Sequence, residues 1–235
     1  MKVQENALGF IIETSSIIIF FGKKEAQLEK IQQFFSSYQF TLVHQTHGRK
    51  IQLKDSTNWT ERPEADAQWT EQKKLGLCIS TADCIPAFVY DLKKARIAGV
   101  HAGWKGVANR IVPQTLELFL NTGSKPQDLR LVLGPHIQKQ SFEVDLDVKN
   151  QLIAVAKNLS NSNTVMMDSE VFTQNTEGKF QVDLSKIVKS QAQEHEVSLD
   201  HFFDLNLDTK SDHRFHSHRR DKEKAGRQLS FILQK

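Results

Sequence analysis

Cysteine is nearly absent: Cys78 and Cys84 are the only two among 235 residues. Two neighbouring thiols cannot staple a small secreted scaffold, so a disulfide framework is excluded and free thiols or metal ligands are expected. Long apolar runs are also missing. The longest, Ile17 to Phe21, falls far short of the roughly 20 residues that a membrane-crossing helix needs. Glycine, with 11 residues, and proline, with 5, are too sparse for a fibrous or low-complexity chain. No sign of charge dominates: 31 basic and 28 acidic residues leave a net +3, spread along the chain, which does not argue for a nucleic-acid groove. The start, MKVQENALGFIIETSS, lacks the charged start, long apolar stretch and cleavage site of a secretory signal, so a cytoplasmic location is expected. The H-x-E and P-C-x-x-C signature of nucleic-acid base deaminases is absent as well.

What remains is a globular composition, 39% hydrophobic and 25% charged, expected to form one domain over residues 1–235. GFIIET and SIIIFFG, split by Thr14-Ser15-Ser16, read as two paired strands. Further strands are expected in TLVHQ, LGLCIS, IPAFVYD, RIAGVHA, RLVLGP, HFFDLN and QLSFIL. Apolar residues at three- and four-residue steps predict helices over 25–38, 107–120, 145–159 and 183–196. Periodicity fades over 54–65 and 158–179, which read as loops. This irregular alternation predicts an α/β or α+β chain with mixed sheets flanked by helices.

Three segments carry chemistry. V-H-Q-T-H-G (43–48), T-A-D-C-I-P (81–86) and H-A-G-W-K-G (101–106) place His, Cys and Asp beside turn-forming residues at strand ends, where sites are commonly built. One Cys and two or three His match a catalytic zinc site with three protein ligands and one open position. The same residues suit a metal-free pair in which Cys84 is the nucleophile and His101 its base. Spacing alone leaves both readings open.

These motifs, with ADAQWT, GVHAGWKGVANRIV, LGPHIQKQSFEV, VDLSKI and RFHSHRRDKEKAGRQLSFI, resemble the polyphenol-oxidase/laccase-domain family in the family's order from Val43 to the C-terminus. The resemblance implies a fold similar to a toxin deamidase with a Cys-His dyad. It implies zinc held by His47, Cys84 and His101, with copper the alternative metal and His44 outside the ligand set. It also implies phosphorolysis of adenosine, inosine and methylthioadenosine to free base and a ribose 1-phosphate, with some adenosine deamination. No further cysteine stands near the motifs to hold blue copper, which argues against a multi-copper cluster.

Phosphate chemistry needs an anion site. Gly103 to Gly106 lead into a predicted helix whose first amides and Lys105 are candidates, the alternative being a tight turn with a solvated lysine. Arg219 and Arg220, in a basic stretch that also suits a solvated face, are further phosphate candidates, with His44 beside the substrate. Asp83 is assigned to the catalytic group with Cys84 and His101, and Asp66 is expected to orient a histidine ligand; each carboxylate also suits a turn cap. Trp104, Phe88 and Phe142 are candidate purine stackers or core residues. The expected function is a zinc-dependent purine nucleoside phosphorylase, monomeric or homodimeric, acting on small molecules without nucleic-acid or membrane partners. The alternatives are a cysteine amidohydrolase acting on a cell-wall precursor through Cys84 and His101, and a non-enzymatic metal-binding protein.

Overall fold

The computed structural model describes residues 1–157 and 168–235. The fold is α+β, with two large sheets stacked face to face. The first sheet runs β1 (Val3–Glu5), β2 (Gly9–Glu13), β3 (Ile17–Gly22), β15 (Gln228–Gln234), β7 (Leu75–Thr81) and β4 (Gln39–Thr41). The second runs β14 (Phe202–Asp204), β10 (Leu129–Leu133), β8 (Ile85–Asp91), β9 (Arg96–Ala102), β6 (Ala67–Thr70) and β5 (Ile51–Leu53). Both mix parallel and antiparallel pairs. A small sheet of β11 (Glu143–Val144), β13 (Phe180–Val182) and β12 (Phe172–Gln174) lies beside them in the chain's second half.

The apolar strands lack alternation because both of their faces are covered. Ile17, Ile19 and Phe21 join Leu77, Ile79, Phe88, Tyr90 and Val132 in a core between the two large sheets. Ile18 and Phe20, pointing the other way as the period of two demands, meet Phe231 and the helix α1 (Leu28–Phe34) through Ile31. On the far side of the second sheet, Ile85, Ala87 and Val89 pack against α3 (Ile111–Asn121) and α6 (Leu184–Gln193). Phe88 is therefore a core residue, 5.4 Å from the Phe21 ring and fully buried, and not a purine stacker.

Several expectations shift. The helix expected over 107–120 is two helices, α2 (Trp104–Ala108) and α3, because Arg110 adopts a left-handed φ of 60° and pairs with Glu194. The helix over 25–38 is trimmed to α1. The strand expected in TLVHQ ends at Thr41, and the residues after it are held by other means: His44 N–H donates to the Pro63 carbonyl, and Gln45 exchanges two hydrogen bonds with Ser80. The loop 54–65 is organised by the buried Lys54 ammonium, which donates to the carbonyls of Asn58 and Glu61. Within 145–159 the helix α4 spans Leu146–Lys157, and the two residues beyond it lie outside the described residues. So do residues 158–167 of the loop expected over 158–179, whose remainder holds α5 (Asp168–Val171), β12 and the turn before β13.

Candidate active site

The site forms where the chain crosses between sheets. β7 belongs to the first sheet and β8 to the second, so Ala82, Asp83 and Cys84 bridge them. Pro86 pairs with His101 and Ile85 with Ala102, which brings Cys84 beside Gly103 at the next step along the β8–β9 ladder. A Cβ on Gly103 would lie 2.8 Å from Cys84 Sγ and 3.3 Å from His47 Cδ2. Its φ of −70° is ordinary. Glycine is therefore required by the close approach of the thiol, not by a special turn.

His47 reaches the site from the opposite side through Asp66. This buried carboxylate, just before β6, accepts the backbone N–H groups of Thr46 (3.2 Å), His47 (2.9 Å) and Gly48 (2.7 Å), and the Thr46 hydroxyl. Three successive amides converging on one anion hold His47 at its left-handed φ of 61°. Asp66 Oδ1 also lies 2.8 Å from His101 Nδ1. A proton on Nδ1, donated to Asp66, leaves His101 Nε2 free as a ligand. The donor atoms of His47, Cys84 and His101 all lie within 4.8 Å of one another, with His47 Nε2 3.9 Å from Cys84 Sγ.

Electrostatics follow from this packing. Burial pushes the Asp66 carboxyl up, but its hydrogen bonds to His101 and to the amides outweigh that and hold it at about 2. Burial likewise raises the Cys84 thiol, and the hydrogen bonds and positive charge of His101 and His47 bring it down to about 6. Burial disfavours a charged His101, but Asp66 and Cys84 together raise it to about 9. Without a metal, the two shifts act together and favour a Cys84 thiolate beside a protonated His101. Cys78, by contrast, lies in the core of the first sheet, where burial pushes its thiol up.

A cavity of about 1020 Å³ opens over these three residues. His44, Asp83, Lys105 and Arg219 line it together with Trp104 and Phe142. Arg220 does not: its guanidinium donates to the carbonyls of Thr209, Lys210 and Phe215 and pairs with Asp221, so it clasps the C-terminal loop and is not available to phosphate. Asp83 is buried with a left-handed φ of 86°, and both its carboxylate oxygens are engaged, one by Thr209 Oγ1 and the other by Arg219 N–H, each at 2.6 Å. That arrangement ties the Cys84 loop to the C-terminal basic segment. Gln45, from the V-H-Q-T-H-G segment, reaches the cavity with its partner Ser80, and so does Lys179, held 3.5 Å from Glu143 just before β13, where no motif marks it.

A sequence model of the multi-copper polyphenol oxidoreductase laccase family matches residues 23–235. The chain belongs to this family. It is 28% identical to a purine nucleoside phosphorylase of Clostridium acetobutylicum over 235 residues, covering 98% of this chain and 89% of that one. It is 29% identical to the purine nucleoside phosphorylase YlmD of Bacillus subtilis over 203 residues, 82% of this chain and 70% of that one. The crystal structure of a Bacillus licheniformis protein, YfiH, superposes with a TM-score of 0.88 over 99% of both chains at 22% identity, which establishes the shared fold.

The laccase-family donor set fits one metal ion better than a cluster. Metal bonds of about 2.0–2.3 Å in tetrahedral geometry place N and S donors roughly 3.5 Å apart, a small closure from the separations here. Among the described residues no second group of three His, Cys, Asp or Glu side chains converges in this way.

Proposed function

We propose that this member of the laccase family is a purine nucleoside phosphorylase with a single zinc ion held by His47, Cys84 and His101. The convergence of these three donors in one large cavity is the observation that carries the reading. The two relatives named as purine nucleoside phosphorylases support it. Bound zinc would supply Lewis acidity at its open position. Asp66 fixes the His101 tautomer and the His47 turn, so the donors are preorganised before the ion arrives. Trp104 and Phe142, on the cavity wall, offer flat apolar faces to a purine.

Phosphate is held by Lys105 and Arg219. Arg219 stands over the Phe142 ring and uses Nη1 on the Glu143 carbonyl, leaving the rest of its guanidinium for an anion. Asp83 is the positioning residue that keeps Arg219 in register with Cys84, and His44 borders the nucleoside. Adenosine, inosine and methylthioadenosine are the proposed substrates, with adenosine deamination as a side activity. A reducing cytoplasm is the proposed setting, since Cys84 has to remain a thiolate.

A second reading rests on the Cys84–His101 ion pair, which without metal is a nucleophile beside a proton donor suited to amide hydrolysis. One experiment separates the two. Metal analysis and turnover are measured together on wild type and Cys84→Ser. The phosphorylase reading expects about one zinc per chain, retained in proportion to phosphate-dependent base release. Full nucleoside cleavage by a metal-free wild-type protein would contradict it.

A further inference from the structure

The bend that delivers Cys84 is strained. It carries the chain from β7 to β8 through Ala82, Asp83 and Cys84, and Asp83 takes a left-handed φ of 86°, a region that favours glycine. Such a residue costs about 1–3 kcal/mol and persists only where its surroundings fix it. Three hydrogen bonds do so. The Asp83 carbonyl accepts from the Ile137 N–H at 2.9 Å, Oδ2 accepts from the Arg219 N–H at 2.6 Å, and Oδ1 accepts from the Thr209 hydroxyl at 2.6 Å. Only the last comes from a side chain. Thr209 is fully buried, lies 126 positions along the chain, and stands outside every segment that carries a recognisable motif.

Thr209 is itself anchored on both sides. Its N–H donates to the His136 carbonyl at 3.2 Å, and its own carbonyl accepts from Arg220 Nη1 at 3.1 Å. Its neighbour Asp208 accepts from the hydroxyls of Ser141 (2.5 Å) and Ser211 (2.8 Å) and from the N–H groups of Gln138 and Lys210. Two adjacent residues thus grip two parts of the cavity wall. Asp208 holds the segment that leads into Phe142, and Thr209 holds the bend that leads into Cys84. A hydroxyl donated to a buried carboxylate is a charge-assisted bond, and its loss leaves an anionic oxygen without a partner. A bend relaxed at Asp83 would swing Cys84 Sγ away from His47 and His101, whose donor atoms lie within 4.8 Å of it.

We propose that Thr209 is a positioning residue of the metal site: its hydroxyl holds the Asp83 bend that presents Cys84 Sγ to the ion. Through the same carboxylate it also sets the start of α7 (His218–Asp221), which carries Arg219. The inference rests on the single-ion reading above. Thr209 does not line the cavity and acts only through Asp83.

The test compares wild type with Thr209→Val, Thr209→Ser and Ser141→Ala. Valine keeps the shape and sets a methyl against Asp83 Oδ1, serine keeps the hydroxyl, and Ser141→Ala takes a hydrogen bond from Asp208 while leaving Asp83 untouched. Zinc affinity is read by chelator competition, and cobalt-loaded protein reports the Cys84 bond through its thiolate-to-metal absorption. Thr209→Val should bind zinc about tenfold more weakly and lose intensity in that band, and Thr209→Ser should recover both. Ser141→Ala should melt earlier with zinc affinity unchanged. Wild-type zinc affinity in Thr209→Val, a loss that Thr209→Ser shares in full, or an equal loss in Ser141→Ala overturns the proposal. Should the valine protein not fold, Thr209→Ala takes its place with the same expectations. If wild type takes up no metal, the zinc reading fails and amide NMR of the metal-free protein decides on Thr209. Cys84 and Arg219 signals displaced in Thr209→Val and restored in Thr209→Ser uphold its positioning role; signals that stay in place overturn it.

Discussion

Replacing Asp66 by Asn probes the joint on which the site depends. Oδ1 accepts from His47 N–H and lies 2.8 Å from His101 Nδ1, while Oδ2 accepts from the N–H groups of Gly48 and Thr46. An asparagine has one oxygen and one NH₂. Whichever way its amide sits, the NH₂ opposes at least one backbone donor of the Thr46–Gly48 turn. If it takes the Oδ1 place, it also turns His101 Nδ1 into an acceptor, which puts the ring proton on Nε2, where the metal should bind. Two buried groups left without a partner cost about 1–3 kcal/mol each, so about 2–6 kcal/mol is expected. For a chain of this size that lowers the melting temperature by about 4–24 °C. Zinc affinity should fall about 10–100-fold through the lost orientation of His101. Thermal melts of metal-stripped protein and competition with a chromogenic chelator read the two effects separately. An Asp66→Asn protein with wild-type melting temperature and wild-type zinc affinity would refute the reasoning.

The remaining predictions concern the thiol, the glycine, the two arginines and acid. Alkylation of Cys84 in metal-stripped protein should rise with pH around a midpoint near 6, and zinc should suppress it; a midpoint near 9 would dissolve the ion pair with His101. Gly103→Ala, whose Cβ collides with Cys84 Sγ, should lose most zinc affinity in chelator competition while urea unfolding of the metal-free protein changes by about 1–3 kcal/mol. Arg220→Ala should lower stability by about 2–3 kcal/mol through loss of its loop clasp with the Michaelis constant for phosphate unchanged, whereas Arg219→Ala should raise that constant; steady-state kinetics beside thermal melts separate them. Asp66 titrates lower in the folded than in the unfolded chain, so its contribution is complete above about pH 4 and is lost as pH falls toward 2. Acid unfolding of Asp66→Asn should accordingly be shallower over that window than that of wild type.

The strands of the core were legible where both faces are apolar. IPAFVYD and RIAGVHA match β8 and β9 residue for residue, because short, mostly apolar runs bounded by turn residues read as buried strands. The short strands β1, β5 and β6 escaped, since three or four residues such as VQE carry no period and owe their pairing to neighbours. The helix after HAGWKG was seen but its break was not: Arg110 turns left-handed through tertiary contact with Glu194, which no local rule contains. In the site, motifs marked His47, Cys84, His101 and Asp66 as candidates. What they could not show was direction. Arg219 and Arg220 are adjacent and chemically identical, yet the helical turn of α7 sends one to the cavity and the other to the carbonyls of its own loop. Phe88 reads in the sequence as a purine stacker or, more often for an aromatic near a strand, a core residue, and the alternation of β8 aims it between the sheets.

Phosphorus NMR of the zinc-loaded protein with adenosine and inorganic phosphate follows phosphate consumption and product formation in one experiment. The phosphate signal should fall and a ribose 1-phosphate signal grow one for one with adenine release, and stripping the metal or replacing Cys84 by Ser should stop both. Adenine released at the same rate without phosphate, or no conversion by protein carrying its full zinc, would contradict zinc-dependent phosphorolysis.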